Sequence, residues 1–291
     1  MTLPSFRAHD DPGPSFMSLL GRVGSAPDWT ESPSATPAGQ RPFEITHGTT
    51  VVAIRYADGV VMAGDRRATS GNLISHRTMD KVFAADRHSG VAIAGAAGPA
   101  VEMVKLFQLQ LEHYEKIEGT ELSLEGKANQ LSQMVRGNLP AAMQGFVVVP
   151  LFAGYDIRRG SGRLFQFDVT GGRYEETDFA TTGSGSLHAG TVVKLGFHGN
   201  LDRGATIDLA IQALFQAADE DSATGGPDLV RGIYPTMATI TANGFDKVDE
   251  SEIEQRFRAL IDRLGIEADG TAIAIDGPSP TMPSTAGGDG S

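Results

Sequence analysis

Residues 49–65 read TTVVAIRYADGVVMAGD, two runs rich in β-branched and small apolar residues on either side of Ala57-Asp58-Gly59. An Asp-Gly pair between two such runs is a strong hairpin signal, so the spacing predicts two antiparallel strands with the turn at Asp58-Gly59. The runs are apolar almost without interruption, the pattern of strands covered on both faces. KVFAAD (81–86) and GVAIAGAAG (90–98) repeat it around Arg87-His88-Ser89. The chain therefore opens on a sheet sandwiched between other layers.

Further on the period changes. Val104, Phe107, Leu111 and Tyr114 recur at three and four residues, which predicts an amphipathic helix over about 99–117. A second helix begins at Ser123 as N-cap and buries Ala128, Leu131, Val135 and Leu139. Strands are expected at FVVVPLFAGYD, RLFQFD and RYEETDFATT, with Thr170-Gly171-Gly172 as a turn. A helix after Ser186 ends before Gly199-Asn200, and another places Ile207, Ile211, Leu214 and Ala218 on one face. TMATITA is a late strand, and Ser251 to Glu254 reads as a capping box opening a helix with Ile253, Phe257, Leu260 and Leu264. Helices grouped between blocks of hairpin-linked strands predict an α+β fold, with two stacked antiparallel sheets and helices outside, not βαβ winding.

The flanks differ in character. Residues 1–48 carry Pro4, Pro12, Pro14, Pro27, Pro33, Pro37 and Pro42 among Ser, Gly and Asp, a composition too poor in apolar residues to offset chain entropy. The single tryptophan, Trp29, lies there. Residues 277–291 read as a flexible tail, which leaves 49–276 as the folded domain. A net charge of −12 argues against nucleic acid and anionic membrane surfaces as partners. The absence of cysteine and of any long apolar run predicts a cytoplasmic location.

No Walker loop, H-E-x-x-H, G-x-S-x-G or G-x-G-x-x-G occurs, and the seven histidines have no ligand spacing, so neither metal nor cofactor is expected. Two local features stand out. Asp219, Glu220 and Asp221 crowd a helix C-terminus, where the helix dipole disfavours negative charge. GSGS at 183–186 offers backbone and hydroxyl groups between a strand and a helix.

These fragments cohere through a resemblance. HGTTVVAIRYADGVVMAGDRRATSGN, LEHYEKIEG, MVRGNLPAAMQG, TTGSGSL and DEDSATGGPDLVRGIYPT occur in order and together resemble proteasome β subunits of the actinobacterial branch, which are N-terminal-nucleophile hydrolases. The resemblance implies a four-layer α-β-β-α sandwich and a threonine endopeptidase. It also implies a register: from Thr49, Asp65 lies 16 places on (65 − 49), Lys81 32 (81 − 49) and Gly95 46 (95 − 49), whereas counting from Thr50 meets none of them. By that register Thr49 is the nucleophile, Lys81 lowers its hydroxyl pKa, Asp65 orients Lys81, and Gly95 begins the oxyanion region. Ser184 and Asp221 match the positions that handle the amine and its proton-carrying water, and Thr224 stands where many relatives have Ser.

An N-terminal threonine brings its own base, because an α-amino group has a pKa of roughly 8. The resemblance accordingly makes residues 1–48 a propeptide, removed when Thr49 attacks the Gly48 carbonyl. Substrate would lie as an added strand on Thr69 and Ala97, and its leading side chain would meet Ala68, Met79, Ile93 and Ala97, a small and apolar set that predicts cleavage after hydrophobic residues. The implied partners are heptameric α rings, the other β subunits, an AAA ATPase ring, and unfolded or pupylated proteins. Two other readings stand beside this one: the related ring peptidase that begins with Thr-Thr, and a noncatalytic structural subunit of the same barrel.

Overall fold

The computed structural model describes residues 48–71 and 73–265. The leader assignment up to residue 47, Trp29 within it, and the tail assignment fall outside the described residues. The strands are β1 (Thr50–Tyr56), β2 (Gly59–Gly64), β3 (Ala68–Ser70), β4 (Leu73–His76), β5 (Val82–Asp86), β6 (Ser89–Gly95), β7 (Val148–Asp156), β8 (Ser161–Phe167), β9 (Arg173–Glu176), β10 (Phe179–Gly183), β11 (Thr236–Thr241) and β12 (Gly244–Lys247). The helices are α1 (Ala97–Glu118), α2 (Leu124–Gly137), α3 (Leu139–Ala142), α4 (Ser186–Gly196), α5 (Arg203–Glu220) and α6 (Glu250–Leu264).

Two five-stranded antiparallel sheets run in the orders β10-β1-β2-β11-β12 and β5-β6-β7-β8-β9, and β3-β4 form a separate pair. Side chains alternate faces along a strand, which explains the unbroken apolar runs. Val51, Ala53, Val60 and Met62 point between the sheets and meet Val82, Ala92, Leu151 and Leu164. Val52, Ile54, Val61 and Ala63 point outward against Ala189 and Val193 of α4, Ile207 and Leu214 of α5, and Phe257 of α6. On the other outer face Val91, Ile93, Phe152 and Phe165 are covered by Phe107 and Leu111 of α1 and by Leu131 and Val135 of α2. Phe107 packs edge-on against Phe152 with ring centroids 5.9 Å apart. Each such large side chain contributes about 1.5–3 kcal/mol by leaving water. The four layers are α-β-β-α, as the resemblance implies.

Several sequence expectations shift. The first turn is Ala57-Asp58, because Gly59 already pairs with Tyr56. Gly59 is needed for a different reason: a Cβ there would lie 2.0 Å from the Ile240 carbonyl oxygen on β11. RYEETDFATT is two strands in two different sheets, β9 on β8 and β10 on β1. The crossing is held where Arg55 N donates to Asp178 O at 2.8 Å. The charged half suits an edge strand, and Glu175 there takes both arms of the Arg163 guanidinium at 2.6 Å. Ser123 caps α2 as expected, its Oγ accepting from Gly126 N at 3.1 Å. Leu139 is not a rung of α2, which stops at Gly137 ahead of Pro140, whose ring cannot continue the helical ladder. The capping box is absent: α6 starts at Glu250 behind Asp249 with no side-chain cap, and Glu254 turns to Arg258 at 2.8 Å instead. Tyr114 and Leu264 run past the ends of their buried stripes and are exposed, and Ala218 is half-buried. The β3-β4 pair and β12 had no reading in the sequence.

The β8–β9 turn hangs on one carboxylate. Asp168 accepts from Thr170 N, Thr170 Oγ1, Gly172 N and Tyr174 Oη at 2.8, 2.6, 2.9 and 2.9 Å. The Thr170 hydroxyl, the Gly172 amide and the Tyr174 hydroxyl bring its pKa from 3.8 to about 2. A depressed carboxylate pKa adds stability that is fully present above the unfolded value and lost as pH falls through the folded one. Asp168→Asn should therefore be less stable than the parent near neutrality, with the gap closing between pH 3.8 and about 2, read by denaturation as a function of pH.

Candidate active site

Thr49 sits at the head of β1, 4% exposed, and continues its pairing with β10 through Ser184 N donating to Thr49 O at 2.9 Å. This closeness requires Gly183, whose φ is +103° and where a Cβ would fall 1.8 Å from Thr49 O. The Thr49 hydroxyl donates to the Gly48 carbonyl oxygen at 2.6 Å, and Thr49 N donates to Ser184 Oγ at 3.3 Å. Gly48 N in turn donates to Thr69 Oγ1 at 3.3 Å.

Beneath Thr49 lies a buried ion pair. Asp65 leaves β2 fully buried, and Lys81, 1% exposed, precedes β5; Lys81 Nζ donates to Asp65 Oδ1 and to the Arg67 carbonyl, both at 2.6 Å. Asp65 is further held by Thr50 N at 2.9 Å on Oδ1, and by Arg67 N at 2.9 Å and Gly225 N at 2.8 Å on Oδ2. Such saturation is what a buried charge pair needs to offset its desolvation. Burial pushes the Lys81 pKa below its ordinary value and outweighs the opposing pull of Asp65. Two of the three ammonium hydrogens are thus assigned, and Lys81 lines a cavity of about 280 Å³ together with Thr49.

Gly95 ends β6 and lines the same cavity. Its φ of +107° and the 2.1 Å that would separate a Cβ from Val147 O restrict the position to glycine. Ala96 N donates to Val147 O at 2.7 Å, so the adjoining Gly95–Val148 pair is the non-bonded one of the antiparallel alternation, and the Gly95 N–H points away from β7.

On the other side of Thr49, Asp221 closes the C-terminus of α5 and accepts from Ser184 Oγ, from Thr224 Oγ1 at 2.6 Å and from Ala223 N at 3.1 Å. Burial would raise its pKa, but these hydrogen bonds and the nearby His188 hold it below the ordinary carboxylate value. The crowded acids at this helix end divide accordingly: Asp221 turns into the site, while Asp219 and Glu220 face solvent. Ala68, Thr69, Met79, Ile93 and Ala97 all line the cavity beside Thr49. The structure therefore brings every sequence-predicted site residue to one place. It adds Ser75, His76 and Phe146 to the lining, and Thr50, whose hydroxyl lies 2.6 Å from Thr224 Oγ1. Phe146, read in the sequence as the first residue of the FVVVPLFAGYD strand, lies instead in the loop between α3 and β7, which starts at Val148.

A family model for proteasome subunits matches residues 45–230. The proteasome subunit beta of Acidimicrobium ferrooxidans is 55% identical over 255 residues, covering 88% of this chain and 92% of the relative. This chain belongs to the proteasome subunit family, as a β subunit of the actinobacterial type. The proteasome subunit beta of Streptomyces griseus is 51% identical over 261 residues, 90% of this chain and 92% of the relative, and that of Acidothermus cellulolyticus 55% over 243 residues, 82% and 83%. The family is generally one of threonine peptidases, and proteasome β subunits assemble into rings with α subunits. Among the described residues of this β subunit no helix is long and apolar enough to cross a membrane.

Proposed function

We propose that this is a catalytic β subunit, cytoplasmic, whose Thr49 is freed by its own cleavage of the Gly48–Thr49 bond and then hydrolyses peptide bonds of unfolded proteins. The observation that carries the reading is the Thr49 hydroxyl at 2.6 Å from the carbonyl oxygen of the bond to be cut, beside a cavity that the buried Lys81 also lines. Attack of Oγ1 on the Gly48 carbonyl carbon forms a C–O bond and breaks the C–N bond, the hydroxyl proton passing to the departing Thr49 nitrogen, which leaves an ester and a free Thr49 amine; water then hydrolyses the ester to the Gly48 carboxylate and the Thr49 hydroxyl.

In the mature subunit that amine, with an ordinary pKa of roughly 8, takes the hydroxyl proton as Oγ1 attacks a substrate carbonyl. The Lys81 cation favours the alkoxide, and Asp65 keeps Lys81 in place. The Gly95 N–H receives the oxyanion, an interaction whose loss typically costs about 3–4 kcal/mol. The amine then gives its proton to the departing nitrogen, and water resolves the ester. Ser184 and Asp221, with Thr224 behind them, hold the amine. Substrate adds as a strand along Thr69 and Ala97, and Ala68, Met79 and Ile93 favour a hydrophobic residue before the cut. The α rings, the sister β subunits and an AAA ATPase ring that delivers unfolded, including pupylated, proteins complete the assembly. A noncatalytic role is disfavoured because nucleophile, cation and amine-holding groups are all present in one place.

Intact mass and N-terminal sequencing of the subunit assembled with its α partners test this. The expected start is Thr49, with Trp29 and its fluorescence lost from the subunit, hydrophobic residues preferred before the cut in a fluorogenic peptide panel, and Thr49→Ala retaining its leader and inactive. A different start, an active uncleaved chain, or preference for Arg or Asp before the cut would contradict the reading.

A further inference from the structure

Thr50 is fully buried and stands where strand propensity alone would accept a threonine. Its hydrogen bonds ask for more than a strand former. Thr50 Oγ1 accepts from Gly185 N at 3.1 Å and lies 2.6 Å from Thr224 Oγ1. Either hydroxyl could donate in that contact, but Thr224 already donates its single hydrogen to Asp221 at 2.6 Å, and the Asp221 carboxylate only accepts. Thr50 must then donate to Thr224, and the protons run one way, from Gly185 N–H through Thr50 and Thr224 to Asp221. Ser184 donates to the same Asp221 oxygen, which leaves its own lone pairs for Thr49 N. A Cβ on Gly185 would fall 2.4 Å from Thr50 Oγ1 and 2.9 Å from Thr224 Oγ1, so the turn comes close enough to be held by this pair only as glycine. Through its backbone Thr50 also joins the opposite half of the site, its N–H donating to Asp65 at 2.9 Å and its carbonyl accepting from Asp65 N at 3.1 Å.

We propose that the Thr50 hydroxyl is a positioning residue for the reaction at Thr49. It fixes the direction of the Thr224–Asp221–Ser184 hydrogen bonds and ties the 183–186 turn to β1, so that Ser184 meets the Thr49 nitrogen as an acceptor. This rests on Thr49 being the nucleophile, and the assay separates the two ideas. The full chain and its Thr50→Val, Thr50→Ala and Thr50→Ser variants are assembled with α subunits, and kcat and KM for a fluorogenic peptide are measured per Thr49 amino terminus, with Thr49→Ala as control. Valine keeps the shape but neither donates nor accepts, so kcat should fall about tenfold or more at unchanged KM, the scale of one buried hydrogen bond lost from a charged network. Serine should restore most of that loss, which a purely packing role would not allow. Parental kcat in assembled Thr50→Val overturns the proposal. So does a failure of both Thr50→Val and Thr50→Ala to assemble, since the hydroxyl would then serve the fold. A parent whose activity survives Thr49→Ala refutes the proposed function itself, and the positioning role with it.

Discussion

Lys81→Met should yield particles with peptidase activity lowered by about 10²–10³-fold and a subunit several kcal/mol less stable. The two effects have one origin. Asp65 has no exposed surface, and Lys81 Nζ at 2.6 Å is the cation facing it. Removing one member of a buried pair leaves an uncompensated charge, which costs about 3–5 kcal/mol. The amides of Thr50, Arg67 and Gly225 still reach the carboxylate and place the expected loss towards the lower end. The catalytic loss is larger in rate, because a preorganised charge at a developing alkoxide acts in a dry site; about 10²–10³ is typical for one such group. Lys81→Met/Asp65→Asn should recover stability and no activity, as the chemistry needs the cation. Denaturation midpoints and peptidase rates of the assembled variants measure both. The same reasoning fixes a pH dependence. Burial lowers the Lys81 pKa, and in the proposed mechanism the cation is the active form, so activity should be lost as pH rises through it. The alkaline limb of kcat/KM should fall below the 10.5 of an ordinary lysine. Lys81→Met activity within tenfold of the parent would rule out this role.

Gly48→Ala should stop self-cleavage. A Cβ at this position would lie 1.8 Å from the Ala223 Cβ and 2.5 Å from both the Cα and the carbonyl oxygen of Ala223. Backbone atoms cannot rotate aside as a side-chain end can. Ala223 also belongs to the loop that carries Asp221 and Thr224, and its N–H holds Asp221 at 3.1 Å. Either the Gly48 carbonyl leaves its 2.6 Å contact with the Thr49 hydroxyl, or the loop holding Ser184 through Asp221 is displaced. A misplacement of about 1 Å at a reacting centre costs on the order of 10²-fold in rate. Time-resolved intact mass should show full-length chain accumulating, with peptidase activity reduced in step. A chain released directly at Thr49 from a cleavable fusion contains no residue 48 and should match the parental subunit. Processing of Gly48→Ala at the parental rate would disprove the steric account.

Part of this site was open to reading along the chain. Thr49, Asp65, Lys81 and Gly95 lie in one block from β1 to β6, where hairpin registers tie sequence distance to spatial distance. The resemblance then needs only three offsets to select Thr49 over Thr50. The sandwich was legible for a related reason: a strand covered on both faces is apolar nearly throughout, as β2 is and as β1 and β6 are apart from Thr50, Arg55 and Ser89. The α6 cap was less legible: the Ser251–Glu254 box fails because Glu254 is claimed by Arg258 at 2.8 Å and the helix already starts at Glu250, whose carboxylate Arg66 reaches from a distant segment at 2.9 Å.

The amino-acid order by itself determined the stacked layers, which follow from strand periodicity, and through the resemblance it pointed to Thr49, Asp65 and Lys81 as one group. Tertiary structure alone decided the rest. RYEETDFATT divides between two sheets because its halves find different partners, and the run of residue types does not mark where. Thr50 reads as a strand former until the turn after β10 and the loop after α5, contributing Gly185 and Thr224 from more than 130 residues away, close on its hydroxyl. A hydrogen bond's direction depends on which donors and acceptors are already engaged around it, and that is known only when the distant segments have met.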